Sequence, residues 1–150
     1  MKIYLGSDHA GFNLKQDLIK YLKAKNHEVI DYGTDSLASV DYPDFAKKVC
    51  QKVQKEEAFG ILICYTGIGM SIAANKYQGI RAALVNFVED AKLTREHNNA
   101  NVLCLSAKNT SLEDAFKIVD AFLSATFLGE RHLRRVNKIK EIEDEERKTC

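Results

Sequence analysis

The sequence predicts an α/β protein, a three-layer α/β/α Rossmann-like sandwich with a five-stranded, mostly parallel sheet and a C-terminal helical arm. Short apolar runs alternate along the chain with longer segments in which apolar residues recur every three or four positions. The connections between these segments are short, as in repeated βα units. The chain has 150 residues, of which 45% are hydrophobic, so residues 1–150 suit a single domain with a full core.

The first strand and helix are predicted from two different periodicities. Residues 3–5 form a short apolar run typical of a buried strand. The helix that follows has one apolar face, formed by Leu14, Leu18, Ile19 and Leu22. Residues 28–32 are predicted as the second strand, which ends at Gly33.

A second helix is predicted after a loop over residues 34–42. Pro43, the only proline of the chain, suits the first turn of a helix. The helix presents three apolar residues at a spacing of four, Phe45, Val49 and Val53. Such a spacing buries one helix face against the sheet.

The rest of the sheet is predicted from three further apolar runs, at residues 59–64, 81–85 and 101–105. Helix-forming segments follow these runs, at residues 71–76, 88–96 and 112–125. Strands that are each followed by a helix pair in parallel, because the helix carries the chain back across the sheet.

The C-terminal segment differs from the rest of the chain in having a narrow apolar stripe among charged residues. The stripe consists of Leu133, Val136, Ile139 and Ile142, and residues 141–148 are almost all ionic. Two interpretations fit this pattern equally well. The segment is either a solvated last helix packed on its own domain, or an arm that crosses to a partner subunit and buries the stripe there.

Charge and hydropathy exclude several classes of partner and location. Charged residues make up 29% of the chain and nearly cancel, which leaves a net charge of +1 and no reason to expect a nucleic-acid or membrane partner. No apolar run approaches the ~20 residues that span a bilayer. Asp8 comes too early for a signal peptide, so the protein is expected in the cytoplasm.

The four cysteines are widely spaced and include no Cys-x-x-Cys pair. Cys50 and Cys104 are expected to be small buried residues in a reducing compartment. Cys150 lies in a polar tail and is expected to have no role. None of the four histidines has a metal-ligand spacing to another histidine or to a cysteine, so we expect no metal and no other cofactor.

The segment around Cys64 is the most informative of the sequence. Cys64 ends the third predicted strand and is followed by the glycine loop Gly67-Ile68-Gly69 and a helix start. In open α/β sheets, ligands bind outside the carboxyl ends of the strands. The free N–H groups of a helix start favour an anion and lower the pKa of a nearby thiol. The sequence therefore predicts an enzyme in which a thiolate and an oxyanion-binding loop share one pocket.

Four other places carry polar residues at predicted strand or helix ends. They are Asp8-His9 after the first strand, His97-Asn98 after the fourth helix, Lys108 after the fifth strand, and residues 131–135 near the start of the last helix. Each alone has an ordinary structural explanation, such as a helix cap or a solvated face. Cys64, Asp8-His9 and the loop after the fifth strand nonetheless share the carboxyl edge of the sheet, where this fold binds ligands.

Two familiar motifs are excluded by the residues themselves. The glycines at positions 67 and 69 match part of a dinucleotide-binding fingerprint, but the third small position is Ile72 and the motif follows the third strand rather than the first. Some phosphatase loops place an arginine six residues after the nucleophilic cysteine, and this chain has Met70 there.

The motifs taken together resemble those of the type B ribose-5-phosphate isomerases, a family that also includes the galactose-6-phosphate isomerase subunits. The resemblance runs in order from the first strand to about Ile142 and rests on Ser7-Asp8-His9-Ala10-Gly11, Asp41-Tyr42-Pro43, residues 64–76, Gly79-Ile80-Arg81-Ala82, residues 97–102, and Arg131-His132 with Arg135. It implies a metal-free aldose–ketose isomerase that interconverts D-ribose 5-phosphate and D-ribulose 5-phosphate. It also implies a homodimer, or a tetramer, with each active site at the interface of two subunits.

Four residues match catalytic positions of that family. Cys64 matches the thiol base that moves a proton between C1 and C2 of the sugar through a cis-enediolate. His97 matches the acid–base residue that opens the furanose ring, work suited to an imidazole with its ordinary pKa of ~6.5. Asp8 is expected to orient the sugar or assist ring opening, and Thr66 belongs to the loop that holds the reacting end of the substrate.

The remaining matches are to substrate-binding positions. The sugar is expected to contact Asp8, Asn98 and the loop residues Tyr65, Thr66, Gly67, Ile68, Gly69 and Ser71. The phosphate is expected to be held by His9, Arg131 and Arg135. An arginine fork can hold two phosphate oxygens at once.

Two positions depart from the family pattern. Tyr65 stands where the family has glycine, and it either strains the backbone by roughly 1 kcal/mol or more, if φ must be positive there, or narrows the pocket. Lys108 stands where a substrate-binding arginine is usual and gives a point charge rather than a fork. An isomerase of a six-carbon 6-phosphosugar, such as allose or galactose 6-phosphate, therefore stays an alternative, as does a sugar-phosphate-binding module that has lost turnover.

Overall fold

The computed structural model describes residues 1–148, and Cys150, which is expected to have no role, lies outside them. The strands are β1 (Lys2–Ser7), β2 (Glu28–Asp31), β3 (Phe59–Cys64), β4 (Ala82–Leu84) and β5 (Val102–Ser106). The helices are α1 (Phe12–Ala24), α2 (Tyr42–Val53), α3 (Ile68–Ala74), α4 (Val88–Asn98), α5 (Leu112–Ser124) and α6 (Arg131–Lys148). None of these helices is long and apolar enough to cross a membrane.

The five strands form one sheet with the order β2-β1-β3-β5-β4, and every pairing in it is parallel. In the centre of the sheet Leu5 lies opposite Ile61, and Cys64 lies opposite Ser106. From β1 the sheet grows toward β2 on one side and toward β3 on the other. The gap between β1 and β3 is thus a topological switch point, where open parallel sheets bind ligands. The predicted sheet is confirmed.

Helices cover both faces of the sheet, so the predicted three-layer sandwich is confirmed as well. Helices α1, α4 and α5 pack on one face around a buried cluster that includes Leu5, Ile63 and Phe122. Helices α2 and α3 pack on the other face. Cys50 and Cys104 are fully buried in this second layer, as the sequence predicts.

Several element boundaries differ from the predicted ones. The third helix starts earlier than predicted, at Ile68, so most of the predicted glycine loop is the first turn of α3. Helix α4 extends to Asn98, so His97 and Asn98 belong to its last turn. Strand β4 is only three residues long because it is an edge strand. The Asn75 side chain covers part of its open edge, donating to Ala82 O and accepting from Ala82 N–H, both at 2.9 Å.

Helix α6 has an apolar stripe that its own chain leaves largely uncovered. Leu133, Ile139 and Ile142 are 47%, 51% and 61% exposed. The helix is held to the rest of the chain at polar positions, as where Glu143 accepts the Gly79 N–H at 3.0 Å. Packing within one chain therefore does not account for the stripe.

Candidate active site

The carboxyl ends of β1, β3 and β5 bring most of the predicted site residues to one edge of the sheet. Asp8 and His9 follow β1, Cys64 ends β3, and Lys108 follows β5. The first two strand ends are joined directly, because the Asp8 N–H donates to Ile63 O at 3.2 Å. The side chains thus surround the switch point of the sheet.

Asp8 is buried, and the backbone of the next turn holds its carboxylate. Oδ1 accepts the Gly11 N–H at 3.1 Å, while no group within residues 1–148 donates to Oδ2. The turn requires glycine at position 11, because a Cβ there would lie 2.6 Å from Ile63 O. One carboxylate oxygen is therefore fixed and the other can accept a hydrogen bond from a ligand.

The orientation of His9 is set by the loop after β2. Its Nδ1 accepts the Val40 N–H at 3.3 Å. A neutral imidazole in this contact carries its hydrogen on Nε2, because Nδ1 acts as the acceptor. His9 therefore presents an N–H donor, the group that a phosphate oxygen binds.

The three described cysteines share one side of the sheet but differ in environment. Burial raises the pKa of Cys50 to about 12, and it also raises the pKa of Cys104. Both thiols therefore stay protonated at neutral pH and act as small core residues. Cys64 is 5% exposed and, unlike the other two, stands at the ligand-binding edge.

The turn after Cys64 depends on two glycines. Gly67 has φ +77°, and a Cβ there would lie 3.0 Å from the backbone of β5. A Cβ on Gly69 would lie 2.6 Å from the Tyr42 ring. Thr66 Oγ1 accepts the Ile68 N–H at 3.2 Å. The turn therefore packs tightly between β5 and α2 and has a fixed shape.

The first turn of α3 leaves two backbone donors free in the described part of the chain. The Ser71 N–H makes the first helical bond, to Gly67 O at 3.0 Å. The N–H groups of Gly69 and Met70 precede it and have no acceptor. They lie one turn beyond Cys64, so this turn can donate to an oxyanion beside the thiol.

Tyr65 has an ordinary backbone conformation and an exposed side chain. The non-glycine residues with positive φ in residues 1–148 are Asn26, Asn99 and Glu130, so the strain interpretation of Tyr65 is wrong. The Tyr65 side chain is 56% exposed, and Lys108 Nζ lies 5.7 Å from the centroid of its ring. The phenol therefore stands at the rim of the site next to a cation.

The other four predicted site residues occupy two helix ends at the opposite, amino edge of the sheet. They are His97 and Asn98 in the last turn of α4 and Arg131 and Arg135 in the first turns of α6. Neither arginine makes an ion pair with any described residue. Their guanidinium groups are thus available to an anion.

The height of the sheet separates His97 from Cys64. Helix α4 runs back across the sheet, and three residues after it Asn101 O accepts the Gly60 N–H at 3.0 Å, at the amino end of β3. From Gly60 to Cys64 the strand advances by about 13 Å, at about 3.3 Å per residue. Within one copy of the chain the thiol and the imidazole therefore lie at opposite edges of the sheet.

His132, for which the sequence predicts no site role of its own, joins this second group. Its ring stacks on that of His97, with centroids 4.2 Å apart and an angle of 9° between the planes. Its Nε2 is buried and has no hydrogen-bond partner among residues 1–148. Desolvation, reinforced by His97, lowers the pKa of His132, so the ring is neutral at pH 7. No spacing rule links positions 97 and 132, so only the structure reveals the pair.

A pocket of about 870 Å³ lies beside the edge strand β4, where its lining includes Arg81, Asn98 and Ile139 but not Cys64. The described residues contain no cluster of three or more His, Cys, Asp or Glu side chains that could hold a metal ion.

Comparison with known proteins gives matches over nearly the whole chain. The Ribose/Galactose Isomerase family model matches residues 3–139. Ribose-5-phosphate isomerase B of Escherichia coli is 47% identical over 143 residues, which cover 95% of this chain and 96% of that protein. A probable ribose-5-phosphate isomerase B of Mycoplasma genitalium is 48% identical over 146 residues, 95% of this chain and 96% of that protein.

Solved structures agree with these matches. Ribose-5-phosphate isomerase B of Clostridium thermocellum superposes with a TM-score of 0.95 at 51% identity, covering 97% of this chain and 99% of that chain. The Mycoplasma genitalium enzyme with bound ribulose 5-phosphate gives a TM-score of 0.93 at 48% identity, covering 96% of this chain and 97% of that chain. The sequence matches and the shared fold lead to one assignment: the chain belongs to the ribose/galactose isomerase family.

Proposed function

We propose that this protein is an aldose–ketose isomerase that interconverts D-ribose 5-phosphate and D-ribulose 5-phosphate in the cytoplasm. The observation that carries the proposal is the full-length match, at 48% identity, to a relative with bound ribulose 5-phosphate. A coupled assay with ribose 5-phosphate in the presence of a chelator tests it. Binding of the phosphosugar without turnover would instead identify a binding module.

The reaction needs one base that serves both carbon atoms. The Cys64 thiolate removes the proton from C2 of the open-chain aldose, and the electron pair moves onto O1 to give a cis-enediolate. The same thiol returns the proton to C1, while the hydroxyl proton moves from O2 to O1. The result is the ketose, and the enzyme is left unchanged.

The turn after Cys64 would stabilise the enediolate. The free N–H groups of Gly69 and Met70 are the donors available to the developing oxyanion. Asp8 Oδ2 and Thr66 would orient the hydroxyls of the sugar, since Asp8 Oδ1 is already engaged by Gly11. These roles fit the shape of the turn, which close packing against β5 and Tyr42 keeps fixed.

Ring opening requires residues from a second copy of the chain. The cyclic sugar must receive a proton at the ring oxygen and lose one from the C1 hydroxyl, and His97 suits that exchange. His97 lies at the far edge of the sheet from its own Cys64. We therefore assign it, with Asn98, to the Cys64 of the partner in a homodimer that has two shared active sites.

Exposed apolar side chains support this assembly. Ile68, Ile72 and Phe87 are 52%, 59% and 69% exposed near the carboxyl edge. The exposed stripe of α6 adds a second apolar surface that suits an arm reaching a partner subunit. A mass measurement in solution distinguishes the dimer from a tetramer.

The phosphate group would be bound by His9 of one chain and by Arg131 and Arg135 of the partner. Replacing Arg135 with alanine is expected to raise KM for ribose 5-phosphate roughly tenfold or more, because a charge-assisted hydrogen bond is lost. Unphosphorylated ribose should be an equally poor substrate for the wild-type protein and the variant. Arg134→Ala, one position along the same exposed helix, is the matched control and should leave KM unchanged. An unchanged KM for Arg135→Ala would place that arginine on a solvated face.

The position of Tyr65 favours five-carbon over six-carbon substrates. Tyr65→Gly is expected to raise kcat/KM for a six-carbon 6-phosphosugar relative to ribose 5-phosphate by roughly tenfold, since removal of the ring makes room for one more carbon. Tyr65→Phe keeps the ring and should keep the preference. Because Tyr65 is not in a left-handed conformation, glycine should not raise the melting temperature. An unchanged ratio of kcat/KM values would show that Tyr65 does not set the preference for five-carbon sugars.

A further inference from the structure

Lys15 is a completely buried cation that the proposed reaction does not use. Its side chain is 0% exposed and lies on the buried face of α1 with Leu18 and Leu22. Nζ donates to both carboxylate oxygens of Asp31, at 2.8 and 2.9 Å, and to Gln16 Oε1 at 2.9 Å. This pair joins a buried ammonium to a partly exposed carboxylate, and it adds little net stability because desolvation of the ammonium offsets the attraction. The pair therefore calls for another role.

One side of the pair leads to Asp8 through the start of α1. The Lys15 N–H donates to Gly11 O at 2.9 Å. The Gly11 N–H in turn donates to Asp8 Oδ1 at 3.1 Å. The same glycine thus connects the backbone of Lys15 to the carboxylate that faces the site.

The other side leads to Asp8 through the end of β2. Asp31 Oδ1 accepts the Gly33 N–H at 2.8 Å as well as the lysine ammonium. Gly33 O accepts the Ser7 N–H at 2.7 Å, and the Thr34 N–H donates to Ser7 O at 2.7 Å. Ser7 is bonded covalently to Asp8. The contacts close into a ring that runs from Asp8 through both loops and back.

We propose that Lys15 and Asp31 are positioning residues, which hold the Asp8 carboxylate at the switch point by fixing the turns on either side of it. The proposal rests on the proposed sugar-binding role of Asp8. Lys15 supplies the cation of the ring and bonds both oxygens of Asp31, so its ammonium fixes the distance between α1 and the end of β2. The loop after β2 also orients His9, because the Val40 N–H donates to its Nδ1. A looser loop should therefore disturb the proposed phosphate contact of His9 as well, but less than it disturbs Asp8.

The test uses Lys15→Met in the full-length protein, because methionine fills the buried volume and leaves Asp31, whose side chain is 39% exposed, in contact with water. Amide hydrogen exchange is measured at Gly11 and Gly33, and kinetics are measured with ribose 5-phosphate at a temperature where circular dichroism shows full folding. We expect faster exchange at both amides and a kcat that is lower by roughly ten- to hundredfold, with a smaller change in KM.

Lys25→Met is the matched control. Lys25 follows the other end of α1 and pairs with Asp120 at 3.0 Å, far from Asp8. This variant should change neither the kinetics nor the two amides. Unchanged exchange at Gly11, or a kcat within about twofold of the wild-type value in folded Lys15→Met, would overturn the proposal.

A second set of variants covers the case in which a single change unfolds the chain. Asp31→Asn leaves a buried ammonium without a counter-charge, so it should lower stability more than Lys15→Met does. The double variant removes both charges and should fold, with a kcat no lower than that of the worse single variant. Additive losses of kcat would contradict a single ring. If the wild-type chain has no isomerase activity, the proposed function fails, while the exchange data still decide whether the ring holds Gly11 and Gly33.

Discussion

Replacing Cys64 with alanine is expected to lower kcat by about 10³-fold or more, because the variant lacks the thiolate that the proposed reaction uses to take the C2 proton. The fold and the binding of phosphosugar should be nearly intact, since the thiol lies at the surface of the core layer and alanine leaves only a small space. The measurement is kcat with ribose 5-phosphate, alongside the melting temperature and the Kd of the phosphosugar. Isomerase activity near the wild-type level would exclude Cys64 as the base.

Cys104→Ala is the matched control for this prediction. It removes a thiol from the same face of the sheet, two positions along the neighbouring strand from the residue opposite Cys64. It should lower the melting temperature slightly and leave kcat unchanged. Alkylation gives a second readout. Cys64 should react first and phosphosugar should protect it, whereas the raised pKa values of Cys50 and Cys104 make those thiols unreactive.

Replacing His97 with asparagine is expected to lower kcat with ribose 5-phosphate by about 10²-fold or more, since ring opening loses its acid–base group. Exchange of solvent deuterium into ribulose 5-phosphate should be affected much less, because that ketose has no furanose ring to open. Nuclear magnetic resonance of the ketose measures the exchange. Equal losses in the two measurements would assign His97 a structural role, such as stacking on His132.

Because Cys64 and His97 lie at opposite edges of the sheet, the two variants should complement each other. Unfolded and refolded together, Cys64→Ala and His97→Asn chains should form mixed dimers that regain activity. Each mixed dimer contains one site with both residues intact and one with neither, so up to about half of the refolded dimers should be active at one site. Mixtures that stay inactive would show that each chain uses its own His97.

Much of the fold follows from local patterns. The apolar runs at β1, β3 and β5 and the four-residue spacing in α2 predicted these elements, because periodicity reports which face of a segment is buried. The order of strands and helices then required parallel pairing, since each helix returns the chain to the same edge. Boundaries were less certain. The first turn of α3 was predicted as a loop because glycine is a poor helix former, whereas contacts with Tyr42 and β5 hold it in place.

Part of the candidate site was also predictable. Asp8, Cys64 and Lys108 follow strands, and parallel strands place all their carboxyl ends at one edge, so their proximity follows from the topology. The family resemblance, confirmed by the matches over the whole chain, added the assignment of His97, Asn98 and the arginines. The roles of the individual residues stay predictions.

Tertiary structure alone decided three things. It placed His97 at the far edge from Cys64, because α4 crosses the sheet before its last turn, and a sequence motif does not record how far a helix travels. It showed an ordinary backbone at Tyr65, since φ depends on how the turn packs against its neighbours. It also closed the ring between Lys15, Asp31 and Asp8. Those residues are distant in sequence and come together only when two turns meet across β1. The sequence by itself determined the fold class, the family and the edge of the sheet that holds Asp8, Cys64 and Lys108, because these depend on short-range periodicity and local motifs. Long-range packing determined which groups can act on one sugar.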